Sequence, residues 1–240
     1  MWQVFFDLDD TIYDQAQPFK VAFAKAFPQI KIDNWNQLYQ LFRQKSDEVF
    51  PLYPNDREHL EEMWIDRMNR TLSALNEGNK YDSVMILEFQ KIYNQQLKQI
   101  VMFPEMRKLL VELRNQKIQV GIISNGSYEH QMNKVTALGL QDYVAKDRIF
   151  ISATFEVSKP DPELFRKVGK EIGRPTDEMI YVGDNYLNDV YAATQAGCKA
   201  TIWFNHRQRE VVNKPVMATL EIKTPEKLFQ IANLVKNLNN

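Results

Sequence analysis

The sequence predicts an α/β fold: a doubly wound parallel sheet with an all-helical segment inserted after its first strand. Three observations carry this. A short apolar run at the N-terminus breaks straight into the carboxylates Asp7, Asp9 and Asp10. From Pro104 to the last third of the chain, strand-type and helix-type segments alternate, which implies parallel strands covered on both faces. Between Asp14 and about Ile100 the apolar spacing is helical, with no strand pattern.

The first strand is the run Gln3-Val4-Phe5-Phe6. In the inserted segment Phe19, Phe23 and Phe27 recur at helical spacing, as do Trp35, Leu38, Tyr39 and Phe42, and then Leu60, Met63, Trp64 and Met68. These stripes predict four or five helices packed through their aromatic faces. Met106, Leu109, Leu110 and Leu113 form one face of the next helix. Ile118 to Ile123 is a continuous apolar run rich in β-branched residues, a strand buried on both faces. Tyr128 to Leu138 reads as a helix closed by Gly139, and Arg148 to Ile151 as a short strand. Asp161 caps a helix with Pro162 at its first position, and Leu164, Phe165, Val168 and Ile172 line its face before Gly173 ends it. Met179 to Val182 is a strand. Leu187, Val190, Tyr191 and Thr194 form a helix stopped by Gly197, Ala200 to Phe204 is the last core strand, and a final helix near Pro225 to Leu238 packs on the edge.

Composition narrows the class. The chain has 240 residues, 44% hydrophobic and 25% charged, with a formal net charge of −1. This is an ordinary soluble balance and lacks the basic excess of a nucleic-acid binder. Its one cysteine, Cys198, fits a small buried side chain in a reducing cytoplasm. No signal peptide opens the sequence and no apolar run approaches the ~18 residues of a membrane span. The expectation is a cytoplasmic protein with neither nucleic-acid nor membrane partner.

Function in an open parallel sheet gathers at the carboxyl ends of the strands. After the first strand stand Asp7, Asp9 and Thr11; after the second, Ser124, Asn125 and Gly126. Further on lies Lys159, and after the fourth core strand Gly183, Asp184 and, past it, Asp189. Three acids within Asp7–Asp10 repel one another, and burial raises that cost unless a cation or proton neutralises them. Carboxylates, a hydroxyl, free backbone N–H groups and an ammonium match the needs of phosphoryl transfer, which is charge neutralisation, positioning and a proton source.

A hard cation such as Mg²⁺ takes oxygen ligands. Asp7 and Asp184 supply carboxylates, Asp9 a backbone carbonyl, and Asp189 holds a metal-bound water or orients a ligand. Asp7, fixed at a strand end, is the attacking carboxylate, and Asp9 protonates the leaving oxygen and then activates water. Ser124 with the N–H groups of Asn125 and Gly126 cradles phosphate, Lys159 balances the added charge, and Thr11 joins the substrate-binding set. Simpler readings stand beside these. Lys159 suits a solvated loop, Asp189 a surface acid matched to a helix dipole, and His206, Arg207 and Arg209 a solvated basic loop. His59 and His130 have no metal-type spacing.

Together, Asp7-Leu8-Asp9-Asp10-Thr11, Ile122-Ile123-Ser124-Asn125-Gly126, Lys159-Pro160-Asp161-Pro162 and Gly183-Asp184 with Asp189 resemble the four signature motifs of the haloacid dehalogenase-like (HAD) hydrolase superfamily, in order and spacing. The resemblance covers the whole chain and implies a Rossmann-like core over 1–13 and 101–240, with sheet order 5-4-1-2-3. It implies a helical C1-type cap over 14–100, as in subfamily I. It makes Asp7 the nucleophile, Asp9 the acid/base, Ser124 and Lys159 phosphate binders, and Asp184 a metal ligand. The dehalogenases of the superfamily lack the second acid, since halide needs no proton. Asp9 therefore resembles the phosphatase branch, although a phosphosugar mutase keeps it too. Asp10 stands where many relatives carry glycine. The expected activity is Mg²⁺-dependent hydrolysis of a small phosphorylated metabolite through an aspartyl-phosphate. A mutase is the alternative among enzymes. A non-catalytic phospho-acceptor module fits less well, because such receivers are about half this length and have no use for a helical insertion.

Overall fold

The computed structural model describes residues 2–53 and 58–238. The described chain divides into two compact units, Met1–Asp14 with Ile100–Asn240, and Gln15–Gln99.

The first unit is built on a parallel sheet. Its first strand is β1 (Gln3–Phe6), followed beyond the insertion by helix α5 (Pro104–Asn115), β2 (Gln119–Ser124) and α6 (Tyr128–Ala137). Then come β3 (Ile149–Ile151), α7 (Glu163–Glu171) and β4 (Met179–Gly183). A π-helical stretch, Tyr186–Tyr191, runs into the short α8 (Ala192–Gln195). The unit ends with β5 (Ala200–Phe204), β6 (Leu220–Ile222) and α9 (Gln230–Leu238). The strand order is β3-β2-β1-β4-β5-β6. Read from the other edge this is the expected 5-4-1-2-3 order with one strand added.

Strand β1 sits at the centre, its Phe6 in register with Ile122 of β2 and Val182 of β4. All of its residues are buried, as a strand covered on both faces requires. Phe5, Ile123, Phe150, Leu164, Phe165, Met179 and Tyr181 pack together on one face. Cys198 lies against this cluster as a free, partly buried thiol, and burial pushes it up to about 12.

Four expectations are corrected. Phe204 does not end the sheet, because β6 pairs in parallel with β5; with three residues and a single buried one, its sequence shows too little periodicity to read. The segment after β4 starts as a π turn rather than an α-helix, and Leu187 is 53% exposed rather than part of its buried face. Helix α7 starts at Glu163, so Pro162 is its N-cap, while Asp161 Oδ1 accepts a hydrogen bond from the Glu163 N–H at 2.9 Å. The final helix begins at Gln230, later than the expected Pro225, which instead opens a single 3₁₀ turn.

The second unit is helical: α1 (Ala16–Ala26), α2 (Trp35–Val49), α3 (Leu60–Ala74) and α4 (Ser83–Leu97). Asn34 and Asp82 cap α2 and α4 by accepting from the N–H groups of Gln37 and Met85. The Phe19 ring lies 4.6 Å from Phe42 and 5.8 Å from Phe89, and Phe89 stacks on Tyr93 at 5.9 Å. The aromatic stripes thus form this unit's core. On α3, Met68 belongs to the buried face, whereas Leu60, Met63 and Trp64 are half-buried. Among the described residues, no helix is long and apolar enough to cross a membrane.

Candidate active site

The carboxyl ends of β1, β2 and β4 bring the motif residues together. The Asp7 N–H extends the ladder to the Val182 carbonyl at 2.9 Å, so the last ordered step of the sheet fixes the Asp7 backbone. Lys159, in the loop before α7, points its ammonium inward. It donates to Asp7 Oδ1 at 2.7 Å, to Asp189 Oδ1 at 2.7 Å and to the Tyr181 hydroxyl at 2.8 Å. The lysine is buried, which corrects the solvated-loop reading. Its loop is pinned by Asn125, whose side chain donates to the Lys159 carbonyl at 2.7 Å and accepts from its N–H at 3.0 Å. Asn125 therefore joins the end of β2 to the loop before α7.

Asp189 is only 1% exposed, so it is no surface acid. The π turn aims it back at the strand ends, where its Oδ2 accepts from the Asn185 N–H at 2.9 Å. Gly183 makes this approach possible, since a Cβ there would lie 2.3 Å from Asp189 Cγ.

One ammonium between Asp7 and Asp189 leaves an excess of negative charge. Burial pushes Asp7 up to about 7 although Lys159 opposes it. Burial holds Asp184 well above the usual carboxylate range too, with Arg209 pulling the other way. For Lys159 the two acids outweigh burial and keep the ammonium charged. One carboxylate oxygen from each of Asp7, Asp184 and Asp189 falls within 4.8 Å of the others. This is an all-oxygen, charge-deficient donor set, and it fits a hard divalent cation such as Mg²⁺. The Asp9 carboxylate is not part of the cluster, which leaves only its backbone carbonyl for the metal role expected of it.

Asp9 meets a different environment. Lys134 of α6 donates to both its oxygens at 2.7 Å, Gln131 Nε2 to Oδ2 at 3.0 Å, and the Tyr13 hydroxyl to Oδ1. Burial alone would raise Asp9, but the Lys134 charge and these hydrogen bonds hold it well below the usual carboxylate range. Gln131 also donates to Ser124 Oγ at 2.7 Å, so the buried serine is tied to α6.

One phosphate-cradle assignment needs correction. The Gly126 N–H is not free, because it donates to Ser152 Oγ at 3.2 Å. Asn125 uses its side chain on the Lys159 backbone. Thr11 is fully buried and its hydroxyl has no hydrogen-bond partner among the described residues.

The basic run after β5 is not a solvated loop. Arg207 forms a fork on Asp10, with Nε to Oδ2 at 2.8 Å and Nη2 to Oδ1 at 2.6 Å, and also reaches Asp14. Arg209 joins Asp184 Oδ2 at 2.8 Å to Asp10 Oδ2 at 3.3 Å, and the His206 ring contacts the Asp10 carbonyl at 2.9 Å. Asp10 has φ of 59°, the left-handed region that aspartate tolerates better than most residues. That backbone explains why glycine would suit the position. Burial notwithstanding, the bonds from His206 and Arg207 hold its carboxyl well below the usual range.

Sequence reasoning missed Gln131, Lys134, Tyr181 and the Arg207–Arg209 partners. The available signal was slight: Gln131 and Lys134 share a helix face at i, i+3 directly after Ser124-Asn125-Gly126.

Comparison with known proteins shows the family. The profile of the family described as haloacid dehalogenase-like hydrolase matches residues 4–203. The chain belongs to that family. A glyceraldehyde 3-phosphate phosphatase of Pyrococcus furiosus is 28% identical over 211 residues, covering 85% of this chain and 80% of that protein. A phosphoserine phosphatase of Thermus thermophilus is 29% identical over 122 residues, 51% of this chain and 48% of the other. Among solved structures, YfnB from Bacillus subtilis bound to magnesium superposes with a TM-score of 0.69 at 21% identity, covering 97% of this chain and 99% of that one. The L-2-haloacid dehalogenase of Xanthobacter autotrophicus gives 0.72 at 17% identity, covering 99% of both chains. At such identities these two speak for the fold alone. The chain is thus an enzyme of the HAD-like phosphatase type, a phosphoric monoester hydrolase.

Proposed function

We propose that the protein hydrolyses a small phosphorylated metabolite, a sugar phosphate in the first instance, with Mg²⁺ and through an aspartyl-phosphate on Asp7. The observation that carries this reading is the buried Lys159 ammonium shared by Asp7 and Asp189, with Asp184 completing the acid cluster. The sugar-phosphate class is suggested by the glyceraldehyde 3-phosphate phosphatase relatives. A cytoplasmic setting, with neither nucleic acid nor membrane as partner, belongs to the same reading.

Asp7 Oδ1 is occupied by Lys159, and Oδ2 makes no hydrogen bond among the described residues. We assign the attack on phosphorus to Oδ2. The ester P–O bond breaks and its electron pair goes to the leaving oxygen; Asp9, ionised in the resting site and protonated from solvent as the negatively charged substrate enters, passes that oxygen its proton. Water then attacks the acyl phosphate with Asp9 accepting its proton, which releases phosphate and restores Asp7. Lys159 favours the ionised form of Asp7 against the pull of burial and balances the incoming phosphate; Ser124 takes a phosphate oxygen, with Thr11, Asn125 and Gly126 shaping the loops around it. A divalent ion held by Asp7, Asp184, Asp189 and the Asp9 carbonyl would supply further neutralisation of negative charge.

Asp7→Asn tests the reading directly. Phosphate release from p-nitrophenyl phosphate and from sugar phosphates should fall by at least about 1000-fold while the variant stays folded. Hydrolysis at the wild-type rate would sink the mechanism.

A further inference from the structure

We propose that the helical unit holds a binding site for an oxyanion, the carboxylate or phosphate of a small ligand, built on the Arg67 guanidinium and backed by the Gln90 amide.

Arg67 lies on α3 among residues that leave its charge unanswered. Its guanidinium sits 4.5 Å from the ring centroid of the buried Phe42. Of its five N–H donors, one is used within the described residues: Nη2 donates to the Gln90 amide oxygen at 2.6 Å. Nε is enclosed and has no acceptor. The groups that act on its charge are the Tyr93 hydroxyl and a second guanidinium, Arg43. Burial pulls Arg67 down to about 10, with Arg43 adding to the pull and Tyr93 opposing it, so the side chain is still charged at neutral pH.

Other cations of the chain show what is missing. Lys134, Lys159 and Arg207 have side chains no more than 5% exposed, and each meets a carboxylate at 2.7 Å or less. Arg70, three residues further along α3, has Asp66 at 2.8 Å although its side chain is 40% exposed. On the same helix the more open arginine is paired with an acid and the more enclosed one is not. An enclosed charge without a counter-ion is costly, and a bound anion removes that cost.

Gln90 shows how the charge is kept available. It is buried, and its Nε2 donates to Asn94 Oδ1 at 2.8 Å, which turns the amide oxygen to Arg67. A glutamate of the same size would neutralise the guanidinium; the amide aims it and leaves the charge in place. Phe42 covers one face of the guanidinium, so its N–H edge is the part left to a ligand. An oxyanion there takes protons that the protein leaves unclaimed, in charge-assisted hydrogen bonds.

Equilibrium binding tests the site without turnover, so the outcome is independent of the hydrolase reading. Malonate and inorganic phosphate are titrated separately into the full chain by calorimetry, in EDTA and with ionic strength held constant by NaCl. Wild type should bind at least one of them; malonate alone would assign a carboxylate ligand and phosphate alone a phosphoryl one. Arg67→Met should weaken that binding by at least about 10-fold. Gln90→Glu, which supplies an internal counter-charge, should weaken it by a similar factor while raising the urea midpoint. A merely structural Arg67 would not couple these two changes. Phosphate also suits the strand ends, and Lys159→Met controls for this: it should retain the binding that Arg67→Met loses. Binding of neither anion by wild type, or affinity unchanged in Arg67→Met and Gln90→Glu, would overturn the proposal. So would loss in Lys159→Met with none in Arg67→Met, which would put the anion at the strand ends. Should Arg67→Met fail to fold, Gln90→Glu carries the test by the same criteria. If Asp7→Asn remained active, the hydrolase reading would fail and the Arg67 site would still stand.

Discussion

The two units bury opposite things. The helical unit fills its interior with rings, Phe19, Phe23, Phe42, Phe89 and Tyr93, in tilted, edge and stacked contacts. The sheet unit packs apolar residues too, but at one end it buries Asp7, Asp10, Lys134, Lys159, Asp184 and Asp189. Aromatic burial stabilises the fold with no demand for partners. Buried ions cost desolvation energy and stand only while each keeps its counter-charge. The difference locates the chemistry: the acid-rich strand ends are where stability has been given up for charge placement.

The largest effect on stability should come from the aromatic side. Phe89→Ala removes a buried ring touching five others and should destabilise the helical unit by about 4 kcal/mol, read from urea unfolding. Mg²⁺ should not restore that loss. Lys159→Met should cost about 3 kcal/mol, because Asp7 and Asp189 then face each other without their shared ammonium. Here Mg²⁺ should recover part of the loss. If the cation rescued both variants equally, or neither, the contrast between the units would break down.

A smaller effect is linked to pH. Asp7 moves from an ordinary 3.8 to about 7 on folding, so the folded state binds the extra proton between those values. Without divalent cation, the stability advantage of wild type over Asp7→Asn should fall as pH rises from about 4 to about 7, then level off. Added Mg²⁺ should flatten this slope, and a slope of opposite sign would remove the case for an under-neutralised acid cluster. The smallest effect belongs to surface charge. Glu88 and Lys91 pair at 3.1 Å with both side chains more than half exposed, and Glu88→Gln should change stability by less than about 0.5 kcal/mol.

The sheet and its acids were legible because they use local signals. β1, β2, β4 and β5 are buried apolar runs, and their ends change abruptly to Asp7, Ser124, Asp184 and Asn205. The aromatic stripes of the insertion repeat at helical spacing. The environment of each acid was not legible, because it depends on residues distant in the chain. Lys134 and Gln131 resemble surface positions of α6 until Asp9 is placed beside them. His206, Arg207 and Arg209 form an ordinary basic run until Asp10 and Asp184 meet them. The π turn that buries Asp189 leaves no periodic trace over six residues.

The double hydrogen bond from Asn125 to the Lys159 backbone bears on how such enzymes can be recombined. It makes the segment after β2 and the segment before α7 a single inheritable module. A chimaera that imports one of them from a homologue with a different residue at 125 would misplace the ammonium without altering any charged side chain, and transplanting both segments together should restore it.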